Sequence, residues 1–264
     1  LFPVEAVLPR EEPEPEEEEP EAEKNKKPRV SREELHAEVT EGLDLSRVYL
    51  GMCILSTVVA AVGLLRNDVA VIIGAMVIAP LLVPNVALAL GTTLGDTSLI
   101  RRALVTNFVG VFVAFALGVV IGVVVAVDAR VPAIASRTQV DLGAILLALA
   151  AGAAGTLAFT SGLSGAVIGV MVAVALMPPL VVCGMLVGAG EMQTALGAFL
   201  LTAANVICIN LAGVGVFLLQ GVRPRSWWEA ERAKKATQRA VLIWAGLLAI
   251  LVLILWLNQL GWIR

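Results

Sequence analysis

The chain has 264 residues, of which 58% are hydrophobic and only 16% are charged, with a formal net charge of -3. A soluble globular domain has about a quarter of its residues charged, so this composition excludes that class. The mean hydropathy of +0.89 indicates an integral membrane protein. Basic residues form no surface pattern typical of nucleic-acid binding, so we expect no nucleic-acid partner.

The first 30 residues predict a flexible lead-in. Residues 1–9 alternate like the end of a strand, and residues 11–23 are acidic and contain prolines, so they cannot bury enough apolar surface to fold. A capping box at residues 31–34 then predicts an amphipathic juxtamembrane helix over 31–47, with Leu35, Val39 and Leu43 on one face. His36, the single histidine, is expected to be an exposed residue of this helix.

Hydrophobic segments long enough to cross a bilayer follow, which predicts an all-α polytopic membrane protein. Seven are expected, at residues 48–65, 69–95, 103–127, 142–160, 164–189, 194–219 and 240–262. The first six form two sets of three, over 48–127 and 142–219, and the seventh is a separate C-terminal helix. Trp227 and Trp228 predict an interfacial helix on the membrane surface over 222–239.

The second segment of each set resembles the other, which predicts two related repeats. At an offset of about 95 residues, Ile73, Gly74, Met76, Val77, Leu81, Pro84, Val86 and Gly95 match Ile168, Gly169, Met171, Val172, Leu176, Pro179, Val181 and Gly190. Asp96 matches the acid Glu191. Two related segments broken by prolines are typical of a substrate or ion site between repeats.

The prolines are expected to break both helices and to release backbone carbonyls. Pro80 and Pro84 lack the N–H groups that would bond the carbonyls of Met76 and Pro80. Pro178 and Pro179 release those of Val174 and Ala175 in the same way. An unpaired carbonyl must face protein, water or an ion, and the helix starts near Asn85 and Val181 favour anions. The site therefore suits either charge, and a simple kink repaired by neighbouring helices is the alternative.

Glycines and methionines precede both breaks and are candidate wall residues of the pathway. Gly74 and Gly169 would allow close approach of a ligand, and Met76 and Met171 would form an adaptable wall. Close helix packing is the alternative for the glycines, because small residues four apart recur at 118 and 122, 165 and 169, and 184 and 188.

Asparagines within the apolar segments are the next candidates. Asn107 and Asn205 lie in the third helix of each set and should face the bundle interior, where they either join helices or line a pathway. Asn85 directly follows Pro84 at the break. Asn210 is left out because it lies near the far end of its segment.

Charged residues beside the segments are possible gating groups. Arg66 and Asp68 lie in the tight turn between the first two segments, where a surface ion pair is the alternative. Asp96 and Glu191 are either gating groups or interfacial helix ends.

Motifs for catalysis, metals and cofactors are not found. Cys53, Cys183 and Cys208 have no metal spacing and are expected to be apolar packing residues. Residues 162–165 match the GxSG pattern of intramembrane serine proteases, but no histidine lies in the membrane region to activate the serine. We therefore expect neither an enzyme nor a cofactor nor a metal site.

The distribution of Lys and Arg leaves two topologies open. If the second and fifth segments span, Arg47, Arg101, Arg102 and the cluster from 223 to 239 share one side, which should be cytoplasmic. The N-terminus is then inside and the repeats are inverted. If these two segments are re-entrant hairpins, the charge bias is equally good and the repeats are parallel. We favour broken spans.

Three features carry a resemblance to a known family: IIGAMVIAPLLVP at 72–84, the following acid Asp96, and VALMPP at 174–179. Over residues 45–220 the chain resembles domain-of-unknown-function family 389, the uncharacterised hydrophobic domain membrane proteins of bacteria and archaea. Members often carry a small α/β domain before the membrane part, so the resemblance implies that residues 1–9 are the end of its last strand. The resemblance implies a fold and leaves the activity open.

These observations predict a multi-pass protein of the cell (inner) membrane, with the lipid bilayer and a small ion or solute as partners and a homo-oligomeric assembly. The first hypothesis is a transporter or permease with its site between the two breaks. The second is a gated ion channel, and the third is a membrane sensor or scaffold without transport. The scarcity of buried charge disfavours a proton-coupled pump.

Overall fold

The computed structural model describes the backbone of residues 32–161, 165–222, 238, 241–250 and 252–253. It describes the side chains of the same residues except 32–33 and 165–175. The predicted lead-in at 1–30 and nearly all of the predicted interfacial helix lie outside the described residues. Of the predicted C-terminal helix, residues 241–250 are described and are helical.

Within the described part of the chain the structure is helical and contains no strand. The helices are α1 Arg32–Glu41, α2 Arg47–Leu65, α3 Val69–Ile78, α4 Leu82–Leu94, α5 Thr97–Val124, α6 Pro132–Ala135, α7 Leu142–Thr160, α8 Gly165–Gly188 and α9 Met192–Leu219. Together they form a bundle in which α4 is central, since every residue of α4 except Val83 is buried.

Four of these helices, α2, α5, α7 and α9, are long and apolar enough to cross a membrane, and the bent pair α3 and α4 raises the number to five. This finding supports a helical membrane protein. The seven spans expected from the sequence stay a prediction. Helix α8 adds 24 helical residues, but the side chains of its first half are not described.

The break predicted in the second segment is present. Helix α3 ends at Ile78, and Ala79 is extended with φ -66° and ψ 122°. A residue before proline is kept out of the helical region by its clash with the proline ring, so Pro80 explains this conformation. The axes of α3 and α4 differ in direction by 54°.

The corresponding break in the fifth segment is absent, and the prediction was wrong on this point. Helix α8 runs without interruption through Pro178 and Pro179, so Val181 does not begin a new helix. The φ of proline is compatible with a helix, and only the N–H is lost. Buried side chains from Leu176 to Leu186 pack this part of α8 against its neighbours, which favours the continuous helix.

One end of the bundle is marked by contacts of α1. Leu35, Val39 and Leu43 are buried, and α1 packs against α4. At this end Arg102 donates a hydrogen bond of 3.1 Å to Asp44, at the turn before α2. His36 is therefore not a lone exposed residue: its Nε2 lies 3.4 Å from Oδ2 of Asp96, which precedes α5.

The opposite end contains α6 and the turn between α2 and α3. The side-chain oxygen of Asn67 in this turn accepts a hydrogen bond of 2.9 Å from the backbone N–H of Ala133. Helix α5 connects the two ends, because it begins beside Asp96 and leads to α6.

Glycines bring α5 and α8 into close contact. A Cβ atom at Gly184 would lie 2.6 Å from the carbonyl oxygen of Phe115, and one at Gly118 would lie 3.2 Å from the Cα of Gly184. Gly122 and Gly188 approach the backbone of Met185 and Val119 just as closely. The packing interpretation of the glycines at 118, 122, 184 and 188 is confirmed.

Candidate functional site: a buried asparagine cluster

The site lies at the start of α4, directly after the helix break. Asn85 is fully buried, and its Nδ2 donates a hydrogen bond of 2.7 Å to the carbonyl oxygen of Leu81. This bond holds the side chain along the first turn of α4, where Pro84 supplies no N–H of its own. The amide oxygen of Asn85 is left to face the neighbouring helices.

Two more asparagines meet at this oxygen. Asn107 of α5 and Asn210 of α9 each donate from Nδ2 to Oδ1 of Asn85, both at 3.0 Å. All three residues are buried. We call Asn85, Asn107 and Asn210 the asparagine cluster; it joins three helices at the break.

One atom of the cluster has no hydrogen-bond partner in the described part of the chain. Nδ2 of Asn210 also donates to the carbonyl of Val206 at 2.9 Å, but its Oδ1 is buried and forms no hydrogen bond with any described group. A buried acceptor without a partner costs about 1–3 kcal/mol. Such an orphan oxygen is suited to a hydrogen-bond donor or a cation, and this deficit is the most specific functional sign in the described residues.

Several buried hydroxyl groups in the same bundle behave differently. Thr57 bonds the carbonyl of Cys53 at 2.7 Å and Thr202 that of Ala198 at 2.8 Å, four residues earlier on the same helix. Such bonds satisfy the hydroxyl without any other helix. Thr106 is different, since its hydroxyl donates to the carbonyl of Leu43 at 2.8 Å. The asparagine cluster is distinguished because it joins side chains of three different helices.

Asn107 and Asn205 are both buried, as expected for side chains that face the bundle interior. Asn107 bonds Asn85, and Asn210, which was not among the predicted site residues, completes the cluster. Asn210 was left out as too close to the segment end, although the predicted segment 194–219 already continued well beyond it, as α9 does to Leu219. The apolar sequence LAGVGVFLL at 211–219 is the signal that could have shown this.

Asn205 lines a separate cavity of about 230 Å³. Arg137 and Ser136, from the connection between α6 and α7, and Pro179 of α8 lie around it. We call it the Arg137 cavity. Asn205 and Asn210 are five residues apart on α9, which corresponds to a rise of about 7.5 Å. Helix α9 therefore carries one asparagine to the cluster and another to the cavity beside Pro179.

The remaining predicted pathway residues are placed as follows. Met76 is buried in α3, and a Cβ at Gly74 would meet no described atom within 4 Å. Pro80 lies in the break and Pro84 in the first turn of α4. Gly169, Met171, Val174 and Ala175 lie in the part of α8 for which only the backbone is described.

The candidate gating residues lie at helix ends. Oδ1 of Asp68 accepts the N–H groups of Ala70 and Val71 at 3.0 and 3.2 Å and so caps α3. Arg66 ends α2, and no ion pair between Arg66 and Asp68 is recorded among the described residues. Glu191 precedes α9 without capping it through its side chain.

Asp96 caps α5 through hydrogen bonds of 3.0 Å from the N–H groups of Ser98 and Leu99. Burial by itself would raise the pKa of this carboxyl. The hydrogen bonds from Leu99, His36 and Ser98, together with the charge of His36, outweigh burial, so the pKa lies below its usual value. Asp96 therefore lies at a helix end, which is one of the two interpretations that the sequence left open.

The chemistry of the cluster is that of neutral amides. The described residues contain no group of three or more His, Cys, Asp or Glu side chains that could hold a metal ion. Cys53, Cys183 and Cys208 are buried free thiols in three different helices. Neutral amides can bind and orient an ion or solute by hydrogen bonds, and they offer no nucleophile or general base.

Comparison with known proteins places the chain in a family. The family profile described as "Domain of unknown function (DUF389)" matches residues 76–211, a range that includes the whole asparagine cluster. The chain is 39% identical to "Uncharacterized protein MJ0678" of Methanocaldococcus jannaschii over 255 residues. The aligned region covers 96% of this chain and 75% of the relative. No solved structure matches. The family expected from the sequence motifs is therefore confirmed, and the chain belongs to the DUF389 family.

Proposed function

We propose that the protein is a membrane permease for a small ion or solute, and that the asparagine cluster is its internal binding site. The observation that carries the proposal is the orphan oxygen of Asn210. In a bilayer such a group is costly, and intramembrane polar groups of this kind are retained at solute pathways. The cluster also adjoins a broken helix, the feature that forms transport sites in repeat-built transporters.

The packing of the helices supports broken spans and inverted repeats. The contact of Asn67 with Ala133, beside α6, and that of Asp96 with His36 of α1 lie at opposite ends of the bundle, which favours a span over a hairpin. The close contacts pair Gly118 with Gly184 and Gly122 with Met185, so α5 and α8 run in the same direction. The third helix of one set is then parallel to the second helix of the other, an arrangement that supports inverted repeats.

We infer that the end of the bundle that carries α1 is cytoplasmic and that the protein resides in the cell membrane. Arg47, Arg101 and Arg102 belong to this end, and the excess of Arg and Lys in short loops favours the cytoplasm. The end with α6 then faces outward.

Flux measurements in proteoliposomes test the proposal. Potassium, sodium, chloride and phosphate gradients are applied in turn to wild-type protein, Asn210→Leu and Thr202→Val. We expect saturable flux of at least one solute in wild type, its loss in Asn210→Leu, and its retention in Thr202→Val. The threonine variant is the matched control because its hydroxyl bonds only its own helix.

Two results would overturn the proposal. One is flux at the level of empty liposomes for every solute, which would favour the sensor or scaffold hypothesis. The other is equal flux in wild type and in folded Asn210→Leu protein, which would separate transport from the cluster. Unitary currents in planar bilayers would identify a channel in place of a permease.

A further inference from the structure

Arg137 is a partly buried cation that has no acidic partner among the residues that the structure describes. Its Nη1 donates to the carbonyl of Ala133 at 2.6 Å and to Oγ of Ser136 at 3.3 Å. The ion pairs recorded among the described residues are His36 with Asp96 and Arg102 with Asp44, and neither involves Arg137.

Nearby acids do not neutralise this guanidinium. Asp141, at the start of α7, is exposed and accepts the N–H of Ala144 at 2.6 Å. Asp128 is exposed and accepts the N–H of Arg130 at 2.9 Å. Burial lowers the pKa of Arg137, yet an arginine remains charged at neutral pH because its ordinary pKa exceeds about 12.

The cavity beside this cation has the size and lining of a small-solute site. Its volume is about 230 Å³, below the range of about 300–1,000 Å³ for sites that hold drug-sized ligands, so it suits a smaller solute. Ser136 and Asn205 add polar groups, whereas Leu147, Ala148 and Leu201 make the rest of the wall apolar. A planar guanidinium in such a setting is suited to a carboxylate or another oxyanion.

We propose that the Arg137 cavity binds the oxyanion or carboxylate group of a small solute. In combination with the permease function proposed above, on which this second step rests, the transported solute carries an anionic group, which Arg137 would bind at the outer vestibule, and a hydrogen-bond donor, which Oδ1 of Asn210 would accept. Asn205, which lines the cavity, lies about 7.5 Å along the axis of α9 from Asn210, on a different side of the helix.

Protection from an arginine reagent tests the proposal on the unaltered chain. The protein is placed in nanodiscs of phosphatidylcholine and treated with phenylglyoxal, and modification is followed residue by residue by peptide mass spectrometry. Inorganic phosphate is the probe. We expect modification of Arg137 to slow roughly tenfold when phosphate is about ten times its Kd. Arg130, which is exposed and belongs to the same end of the bundle, is the internal control for simple charge screening.

A second arm asks whether the anion comes from lipid. The same measurement without phosphate is made in nanodiscs that contain phosphatidylglycerol. Protection by phosphate in phosphatidylcholine supports a solute site. Protection only by phosphatidylglycerol would overturn the solute assignment, because the cavity would then hold a lipid headgroup. Equal slowing at Arg137 and Arg130, or none at either, would overturn the anion site.

A variant arm gives an independent check. Binding of radiolabelled phosphate in phosphatidylcholine nanodiscs should fall at least tenfold in Arg137→Gln and be largely restored in Arg137→Lys, with Arg130→Gln at the wild-type level. Phosphate binding without any flux would refute the permease and leave the anion site intact. Flux of a solute with unchanged phosphate binding in a folded Arg137→Gln protein would refute the anion site alone.

Discussion

Asn210 donates a hydrogen bond of 3.0 Å to Asn85, although 125 positions separate the two residues in the chain. The bond connects the last helix of the second set to the broken helix of the first. Asn107 adds a third helix through the same acceptor atom. The break after α3 is thus part of an interhelical polar contact and differs from an isolated kink repaired within its own helix.

Replacement of the shared acceptor should destabilise the bundle. In Asn85→Leu the amide groups of Asn107 and Asn210 lose a common partner. We expect the free energy of unfolding to fall by about 1–3 kcal/mol, because buried donors left unpaired carry their full desolvation cost. Thermal unfolding in detergent and titration with SDS measure this loss.

The control for this prediction is Thr202→Val on α9. Its hydroxyl bonds the carbonyl of Ala198, which retains its helical N–H partner in the variant. The expected loss is therefore below about 1 kcal/mol. Equal losses in Asn85→Leu and Thr202→Val would show that the cluster contributes no more than an ordinary intrahelical bond.

The close contact of α5 and α8 predicts opposite effects for two glycine substitutions. In Gly184→Ala the new Cβ would lie 2.6 Å from the carbonyl oxygen of Phe115, so the helices must separate. Overpacking of this kind costs about 1–3 kcal/mol. At Gly51 no described atom lies within 4 Å of a new Cβ, and alanine favours the helix by about 1 kcal/mol.

Comparison of melting temperatures checks the pair. Gly184→Ala should melt below wild type and Gly51→Ala at or above it. A Gly184→Ala protein as stable as wild type would contradict the role of these glycines in packing.

The pKa of Asp96 predicts a loss of stability in acid. Because this pKa is lower in the folded protein than its ordinary value, the carboxylate stabilises the fold above about pH 4, the usual range of an aspartate. The contribution is lost as the pH falls through the folded-state pKa. Asp96→Asn retains a capping side chain and should show a weaker dependence of melting temperature on pH between 3 and 5.

Asp44→Asn is the control for the loss of one negative charge, since the side chain of Asp44 is 71% exposed. Its melting temperature should follow the wild-type pH dependence more closely than that of Asp96→Asn. Identical curves for wild type and Asp96→Asn would refute the prediction.

Docking of α1 on the bundle is predicted to depend on one buried valine. Val39 is 0% exposed, and Val39→Asp would bury a charge without a partner. We expect faster amide hydrogen exchange over residues 32–41 with unchanged exchange in α4. The exposed substitution Glu41→Gln is the control, and unchanged exchange in Val39→Asp would contradict the docking.

Local chemistry explains which features could be predicted from the sequence. The break at Pro80 was predictable because the clash with the preceding residue is a property of two neighbouring residues. The duplicated prolines at 178 and 179 carry the same local signal, yet α8 is continuous. Packing around this helix decides the outcome, and that packing comes from residues distant in the chain.

The sequence by itself determined that the protein is a helical membrane protein of the DUF389 family, because hydrophobicity and family motifs are properties of the chain in order. It also indicated Asn85 and Asn107, since an amide within an apolar helix requires a partner. Only the tertiary structure decided that Asn210 is that partner and that Asn205 faces the Arg137 cavity. The packing of α9 against α4 sets which turn of α9 meets the break, and that packing depends on residues distant in the chain.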